Sequence, residues 1–179
     1  MHTDPTGKIT YEATIGISWT VIDTAIPLPR NSPALIAEMK QRATGFAEPM
    51  LSMINNLSDD NTTAIGLRLA DFPPVSWDSR NGTVTMAGDA AHTMTMYRGE
   101  GANHGILDAA LLTDQIKRFY AGEVGQAEGV RLYEEEMRER TYKAVLMSRQ
   151  AALDGHDWAK IDVTSPLIGM RVPPAIVQS

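Results

Sequence analysis

Residues 88–112 read GDAAHTMTMYRGEGANHGILDAALL, a glycine-rich stretch between an apolar run and an amphipathic pattern. The run Thr83–Ala87 follows the turn dipeptide Asn81-Gly82 and predicts a short buried strand. After Gly101, apolar residues at three- and four-residue steps predict a helix that ends near Gly122. The glycine-rich stretch is therefore predicted to connect a strand end to a helix start.

A carboxylate at a strand end beside a glycine-rich helix start predicts a ligand site with two parts. Asp89 can accept hydrogen bonds from hydroxyl groups. The free N–H groups of the first helical turn, Gly101 to Asn103, can bind an anionic or electron-rich group, and Gly99 lets the ligand approach the backbone closely. The pattern predicts a site for a polyol joined to an anion.

The order G-D-A-A-H, G-x-G-x-N and D-A in this stretch is similar to the second flavin-binding motif of the group A FAD-dependent monooxygenases, the aromatic-hydroxylase type. It is most similar to their fungal secondary-metabolism branch. The resemblance implies that the carboxylate contacts the ribityl chain of the flavin and that the helix start lies by the flavin ring and pyrophosphate. The residues that it assigns to cofactor binding are Gly88, Asp89, Gly99, Gly101, Ala102 and Asn103.

The part of that family that holds the ADP half of FAD is missing from the 179 residues. They contain neither a G-x-G-x-x-G loop nor the ribose-binding acid that follows it. The chain is therefore expected to be a truncated C-terminal part of such an enzyme and to hold no cofactor when alone. FAD is expected only if a separate FAD-binding polypeptide supplies the Rossmann half.

The remaining patterns predict an α+β fold. Alternating apolar residues predict strands at Ala13–Ile26 and Ile65–Leu69, while Ser32–Leu57, capped by Ser32 and broken at Pro49, and Ala127–Leu153 predict helices. We expect a small mixed or antiparallel sheet flanked by three or four helices. Residues 1–179 are expected to form a single domain, with a substrate-domain-like strand–helix–strand in 1–75, the flavin-motif segment and long helix in 76–153, and an irregular tail in 154–179.

The two C-terminal helices have predicted inward and solvated faces. In the helix after Gly101, the inward face is predicted to contain Ile106, Ala109, Ala110, Leu112, Ile116 and Phe119. The last helix carries three ion pairs at i,i+4 spacing, which predict a solvated face: Glu134–Arg138, Glu136–Arg140 and Glu139–Lys143.

Three titratable side chains of the motif are candidates for catalytic proton transfer, namely Asp89, His92 and His104. A carboxylate that caps the nearby helix or loop also explains Asp89. A histidine that is hydrogen-bonded within a tight loop also explains His92. His104 lies in the first turn of a helix, where a cation is disfavoured, so it is expected to be neutral or exposed.

Candidate substrate-binding residues lie between these groups. Tyr97 and Arg98 could bind a phenolate or carboxylate together with Glu100, although a surface ion pair also explains Arg98 and the helix dipole also explains Glu100. The group Asp154–Trp158 suits acid–base work only if the tail folds back over the pocket. No metal site is predicted, because the sequence has no cysteine and no H-E-x-x-H pattern.

Composition narrows the possible partners. The net charge of −6 disfavours nucleic acid, and no apolar run or leader-like start predicts a membrane segment, so a cytoplasmic protein is expected. Unpaired strand edges and bare apolar faces are costly. A homodimer is therefore expected, with Ser32–Leu57 or Ala13–Ile26 covering the gap.

Three functions remain open from the sequence. The first is a truncated monooxygenase-like enzyme that acts without a redox cofactor on a hydrophobic polyketide- or terpenoid-like intermediate, by isomerisation, cyclisation, dehydration or hydrolysis through acid–base catalysis. The alternative is the C-terminal half of a FAD-dependent monooxygenase that needs a separate Rossmann-half partner. The second alternative is a non-catalytic binding module.

Overall fold

The computed structural model describes residues 2–3, 7, 9–10, 13–21, 27–58, 60 and 62–168. Contacts between Cα atoms divide the chain into two compact units, Met1–Arg68 and Leu69–Ser179. The expectation that residues 1–179 form a single domain stays a prediction.

Helices dominate the part of the chain that the structure describes. The α-helices are α1 (Ser32–Arg42), α2 (Met50–Asn55), α3 (Asp89–His92), α4 (Gly101–Tyr120) and α5 (Gln126–Asp154), and short 3-10 helices span Met96–Arg98 and Trp158–Lys160. Two strands of two residues each, β1 (His2–Thr3) and β2 (Ile9–Thr10), pair antiparallel, with His2 opposite Thr10. Among the described helices, none combines the length and the apolar character needed to cross a membrane.

The predicted α+β fold is wrong, because about half of the described residues are helical and only the four residues of β1 and β2 are in strands. No residue is in a strand within the described parts of Ala13–Ile26, Ile65–Leu69 and Thr83–Ala87, of which residues 22–26 lie outside the described part. Alternation of side chains predicts which face of a strand would be buried, but a strand also needs a neighbour to pair with. Ile65 and Leu67 accordingly remain 76% and 71% exposed.

Helix α1 begins one residue earlier than the sequence indicates. Asn31 is the N-cap, and its Oδ1 accepts a hydrogen bond from the Ala34 N–H at 2.9 Å. The predicted cap, Ser32, instead uses its hydroxyl to accept from the Ala64 N–H at 2.8 Å and to donate to the Thr62 carbonyl at 3.4 Å. Ser32 therefore joins the start of α1 to residues 62–64 of the same unit by two hydrogen bonds.

The predicted break in the helix Ser32–Leu57 is confirmed, although it is wider than one residue. Helix α1 ends at Arg42 and α2 begins at Met50, directly after Pro49. The Arg42 guanidinium lies 4.3 Å from the centre of the Trp19 ring, a cation–π contact. The expected homodimer through this region stays a prediction.

The second unit is built on the packing of α4 against α5. Its core contains Ala91, Tyr133 and Met137, and the Tyr133 hydroxyl donates to the Met86 carbonyl at 2.9 Å. Partly buried apolar residues that pack against this core are Trp77, Met86, Leu111 and Leu112.

The predicted inward face of α4 is wrong for most of its members. Ile106 is 70% exposed, and Ile116 and Phe119 are 46% and 38% exposed, whereas Leu112 packs against the core. The one fully buried side chain of α4, among the residues described, is the carboxylate of Asp108. Apolar periodicity finds an apolar stripe, but it does not say which stripe the neighbouring helix covers.

A tight turn before the glycine-rich stretch fixes the start of α5. The predicted turn at Asn81-Gly82 is confirmed, since the N–H groups of Thr83 and Val84 donate to the Ser79 carbonyl at 3.0 and 3.1 Å. Gly82 has a φ of +77°, and a Cβ atom at this position would lie 2.6 Å from the Cα of Ala127. Only glycine combines this backbone conformation with such a close approach to α5.

The substitutions Gly82→Ala and Gly122→Ala separate this close approach from backbone strain. Gly122 also has a left-handed φ, +74°, but a Cβ there would meet no described atom within 4 Å. We expect Gly122→Ala to lower the free energy of unfolding by about 1 kcal/mol and Gly82→Ala by about 3 kcal/mol, the difference being overlap with Ala127. Urea unfolding measures both losses, and equal losses would contradict the close approach.

Candidate functional site

The candidate ligand-binding loop runs from Gly88 through α3 and the 3-10 helix to the first turn of α4. Gly88 and Gly99 have left-handed φ values of +59° and +63°, which allow the chain to turn sharply at both places. Asp89 is exposed, and its Oδ1 lies 3.9 Å from the position that a Cβ on Gly101 would take. The loop therefore places an exposed carboxylate beside the start of α4.

The start of α4 has the features of an anion-binding helix end. Its N-cap residue, Glu100, makes no side-chain hydrogen bond to the first turn. Ala102 and Asn103 are exposed and Gly101 is half-buried, so the first-turn backbone lies at the surface. Uncapped N–H groups at a helix start favour an anionic or electron-rich ligand. The residues predicted to bind a cofactor thus lie together on one loop.

His92, the second candidate for proton transfer, is fully buried. Its Nε2 lies 2.5 Å from Oδ2 of Asp108, so Nε2 carries the proton that the carboxylate accepts. Among the residues that the structure describes, the Nδ1 atom of His92 has no hydrogen-bond partner. This position agrees with a histidine hydrogen-bonded inside a tight loop, and it separates the ring from any ligand at the surface.

Asp108 accepts hydrogen bonds from three segments of the chain. Its Oδ2 accepts from His92 and from the Gly88 N–H at 2.8 Å, and its Oδ1 accepts from Nη2 of Arg140 at 2.6 Å. Burial by itself raises the pKa of Asp108, but the hydrogen bonds from Arg140, Gly88 and His92 outweigh burial and hold that pKa below its usual value of 3.8. Asp108 is therefore a buried carboxylate anion.

His104, the third candidate, shares a partner with Asp108. Its Nδ1 lies 2.8 Å from Nη1 of Arg140, and because arginine can only donate, His104 accepts at this atom. Burial, and next the positive charge of Arg140, lower the pKa of His104 below 6.5. His104 is therefore neutral at neutral pH and carries its proton on Nε2.

The sequence predicted no site role for two residues of this network: Asp108, the aspartate of the D-A pair in the motif, and Arg140, which was expected only to pair with Glu136. Arg140 does form the expected pair with Glu136, at 2.9 Å, but its side chain is only 17% exposed because it also reaches Asp108. Glu134, placed on the same solvated face, is also buried. One feature of the sequence could have predicted that Asp108 is buried. Asp108 lies three residues before Leu111 and four before Leu112, so it shares the face of α4 on which these leucines pack against the core.

The candidate substrate-binding residues contact the C-terminal segment instead of an open pocket. Arg98 donates to Glu100 at 3.0 and 2.9 Å and to the Pro166 carbonyl at 2.6 Å, so the ion-pair explanation of Arg98 fits the structure. The Tyr97 hydroxyl lies 3.3 Å from Nε2 of His156. The described part of the tail therefore folds back onto this loop, which was the condition for a role of Asp154–Trp158.

The segment that contains the candidate ligand-binding loop is similar to a known class of domain. Residues 74–148 match the protein family described as "FAD binding domain". The match includes the whole loop, α4 and most of α5. Within the described part of the chain, no group of three or more histidine and carboxylate side chains is placed to hold a metal ion.

Several proteins of similar sequence have names that state an activity. The chain is 36% identical to a "Probable FAD-dependent monooxygenase" of Arthroderma benhamiae, over 96% of this chain and 42% of the relative. It is 38% identical to "FAD-dependent monooxygenase cctM" of Talaromyces islandicus, over 76% of this chain and 34% of the relative. A bacterial relative, the "3-(3-hydroxy-phenyl)propionate/3-hydroxycinnamic acid hydroxylase" of Comamonas testosteroni, is 33% identical over 51% of this chain and 16% of its own length.

These similarities confirm the predicted resemblance to FAD-dependent monooxygenases. The chain spans about two fifths of the length of the Arthroderma relative. No solved structure matches the chain significantly. The expectation that the isolated chain holds no cofactor is not supported, because the matched family and the relatives point to FAD, which was expected only with a separate Rossmann-half polypeptide.

The substitution Arg140→Gln should raise the pKa of His104 towards 6.5, because it removes the neighbouring positive charge. In the parent protein, the His104 ring takes up a proton at higher pH in the unfolded chain than in the folded chain. The contribution of His104 to the free energy of unfolding is therefore complete above about pH 6.5 and decreases as the pH falls below that value. An NMR titration of the His104 ring measures the pKa. Arg131→Gln, on the exposed face of α5, is the control, and an unchanged titration in Arg140→Gln would contradict the contact.

Proposed function

We propose that residues 88–108 form the part of an FAD site that contacts the ribityl chain and the flavin ring, in a protein of the monooxygenase type. The observation that carries this proposal is the exposed carboxylate of Asp89 beside the uncapped start of α4. Both features lie inside the segment that matches the FAD-binding family. Bound FAD would supply the redox chemistry of the reaction.

The residues of this chain have separate tasks in such a site. Asp89 accepts hydrogen bonds from ligand hydroxyl groups, and its exposure leaves it free to do so. The first-turn N–H groups of α4 stabilise negative charge on the ligand, and Gly99 and Gly101 leave room for the ligand to approach. These tasks need no movement of the buried residues beneath the loop.

The ADP half of FAD requires further protein surface. The 179 residues have no glycine-rich dinucleotide loop, and the chain spans 42% of the Arthroderma relative and 34% of the Talaromyces relative. We propose that another polypeptide segment, with the Rossmann half, completes the site. The substrate of the completed site is proposed to be a hydrophobic small molecule, as the resemblance to the monooxygenases implies.

Titration with flavins of different length tests the proposed contacts. If the chain contacts only the ribityl and ring parts, FMN and FAD bind with dissociation constants that agree within about threefold, a difference of less than 1 kcal/mol. Asp89→Ala should weaken FMN binding about tenfold, the cost of a hydrogen bond to a charged group. Quenching of flavin fluorescence measures both affinities.

The control is Asp114→Ala, a carboxylate of α4 whose side chain is 66% exposed and pairs only weakly with Lys117. It should leave FMN binding unchanged. Binding of FMN that is as tight in Asp89→Ala as in the parent protein would contradict the assignment. Failure of the parent protein to bind any flavin at millimolar concentration would contradict the proposed function.

The second candidate function is acid–base catalysis on a hydrophobic polyketide- or terpenoid-like compound without a redox cofactor. It is favoured by the neutral His104, whose Nε2–H can donate, in the same loop as the exposed Asp89. The burial of His92 removes this candidate from direct contact with such a compound. Isomerisation, cyclisation, dehydration and hydrolysis all need proton transfer of this kind.

Deuterium exchange into an enolisable aromatic ketone tests this second function. Flavin-free protein in D₂O should accelerate exchange at the carbon beside the carbonyl, and His104→Gln should reduce that acceleration about a hundredfold, the usual worth of a general acid or base. Lys117→Gln, a side chain of α4 that is 73% exposed, is the control. NMR measures the exchange, and a rate equal to that of buffer would exclude this function for the ketone.

A further inference from the structure

The buried carboxylate of Asp108 joins the candidate ligand loop to the long helix α5. It receives one hydrogen bond from the backbone of Gly88, one from His92 at the end of α3, and one from Arg140 of α5. Its own backbone belongs to α4. Four parts of the second unit therefore meet at one side chain that is 0% exposed.

The contact with Gly88 determines how Asp89 projects from the loop. Gly88 has φ +59° and ψ −142°, a conformation that other residues rarely adopt. Its N–H is held by Asp108, and its carbonyl accepts from the N–H groups of Ala91 and His92 at 2.9 and 3.0 Å. Both peptide groups that flank Gly88 are therefore fixed, and Asp89 itself has the helical backbone conformation of α3, so the direction of the Cα–Cβ bond of Asp89 is fixed as well.

Arg140 holds the carboxylate from the opposite side. Its Nη2 bonds Oδ1 of Asp108 at 2.6 Å, while Glu136 holds the same guanidinium at 2.9 Å. Nη1 donates to His104. An apolar side chain would fill the volume of Asp108 at a lower desolvation cost. The position therefore uses the directed acceptors of a carboxylate in addition to its bulk.

We propose that Asp108 is a positioning residue of the flavin site, which fixes the Gly88–Asp89 turn and is itself held in place by Arg140. This inference rests on the proposed function, because positioning matters only if Asp89 contacts the flavin. It assigns to the interior of the protein a role in ligand affinity, separate from the surface groups that touch the ligand.

Asp108→Asn in the full 179-residue chain tests the proposal. The amide has one acceptor oxygen in place of two, so at least one of the three donors loses its acceptor. We expect the Gly88 amide to exchange with solvent about tenfold faster and FMN to bind about tenfold more weakly, each the effect of one lost hydrogen bond to a charged group. Hydrogen exchange by NMR and flavin fluorescence measure the two effects, and Asp114→Asn is the matched control on α4.

Arg140→Gln is the second variant, in case Asp108→Asn does not fold. It leaves Asp108 bonded to Gly88 and His92 but removes the anchor on α5. We expect chemical-shift changes that extend beyond the neighbours of Arg140 to Gly88 and Asp89, and a weakening of FMN binding of about threefold, since one of several anchors is lost. Unchanged signals of Gly88 and Asp89 in a folded variant would overturn the proposal.

The amide measurements separate failure of this proposal from failure of the proposed function. If the parent protein binds no flavin, the proposed function fails, and the signals of Gly88 and Asp89 still decide whether Asp108 fixes the turn. Changes that are limited to the neighbours of the substituted residue and to the Gly88–Asp89 turn support positioning. Changes that spread equally through α4 and α5, or FMN affinity that stays at the parent value in a folded Asp108→Asn protein, overturn it.

Discussion

The buried carboxylate of Asp108 must be satisfied inside the protein, because no water reaches it and an unpaired buried charge is costly. Its three donors come from Gly88, His92 and Arg140. Once Asp108 points inward, the residues three, four and seven positions later on α4 must also face α5. Ile106 lies two residues before Asp108, on the opposite side of α4, so its exposed position follows from this requirement.

Helix α5 is the element on which the rest of the second unit is arranged. At its start, the backbone of Gly82 lies against Ala127, and further along Arg140 reaches the ligand loop. Near its end, the Ser148 hydroxyl donates to the carbonyl of Thr95, whose own hydroxyl donates to the Ser148 carbonyl at 2.8 Å. The ligand loop is therefore fixed at several places along one rigid helix, although it has little regular structure of its own.

The parts of the fold that could be predicted from the sequence are those that depend on local information. Helices α4 and α5 have long apolar periodicity, and glycine and proline mark their limits and the break before Met50. The strands could not be predicted correctly, because Ile65 and Leu67 alternate with polar residues but have no pairing strand among the residues described. A strand is a property of two segments, and alternation reports only one of them.

The same limit applies to the site. Asp89 and the glycines could be identified, since their spacing forms one continuous motif. Arg140 could not, because it lies 32 positions from Asp108 and its pair with Glu136 already gave it a sufficient explanation at the surface. The packing of helices determines which ion partners a long side chain reaches, and the spacing of charges in the sequence does not reveal that packing.

Asp89 of the candidate ligand-binding loop and Asp108 of α4 have opposite environments, and this difference explains how the loop can serve a ligand. Asp108 takes the nearby donors, the Gly88 N–H and His92, and is withdrawn from solvent. Asp89 is left exposed on a turn whose backbone is already ordered. A ligand that binds Asp89 therefore does not have to order the loop, and more of its hydrogen-bond energy becomes affinity. Burying the charge of Asp108 costs free energy, but it orders the turn on which Asp89 is exposed and so preforms the site at Asp89.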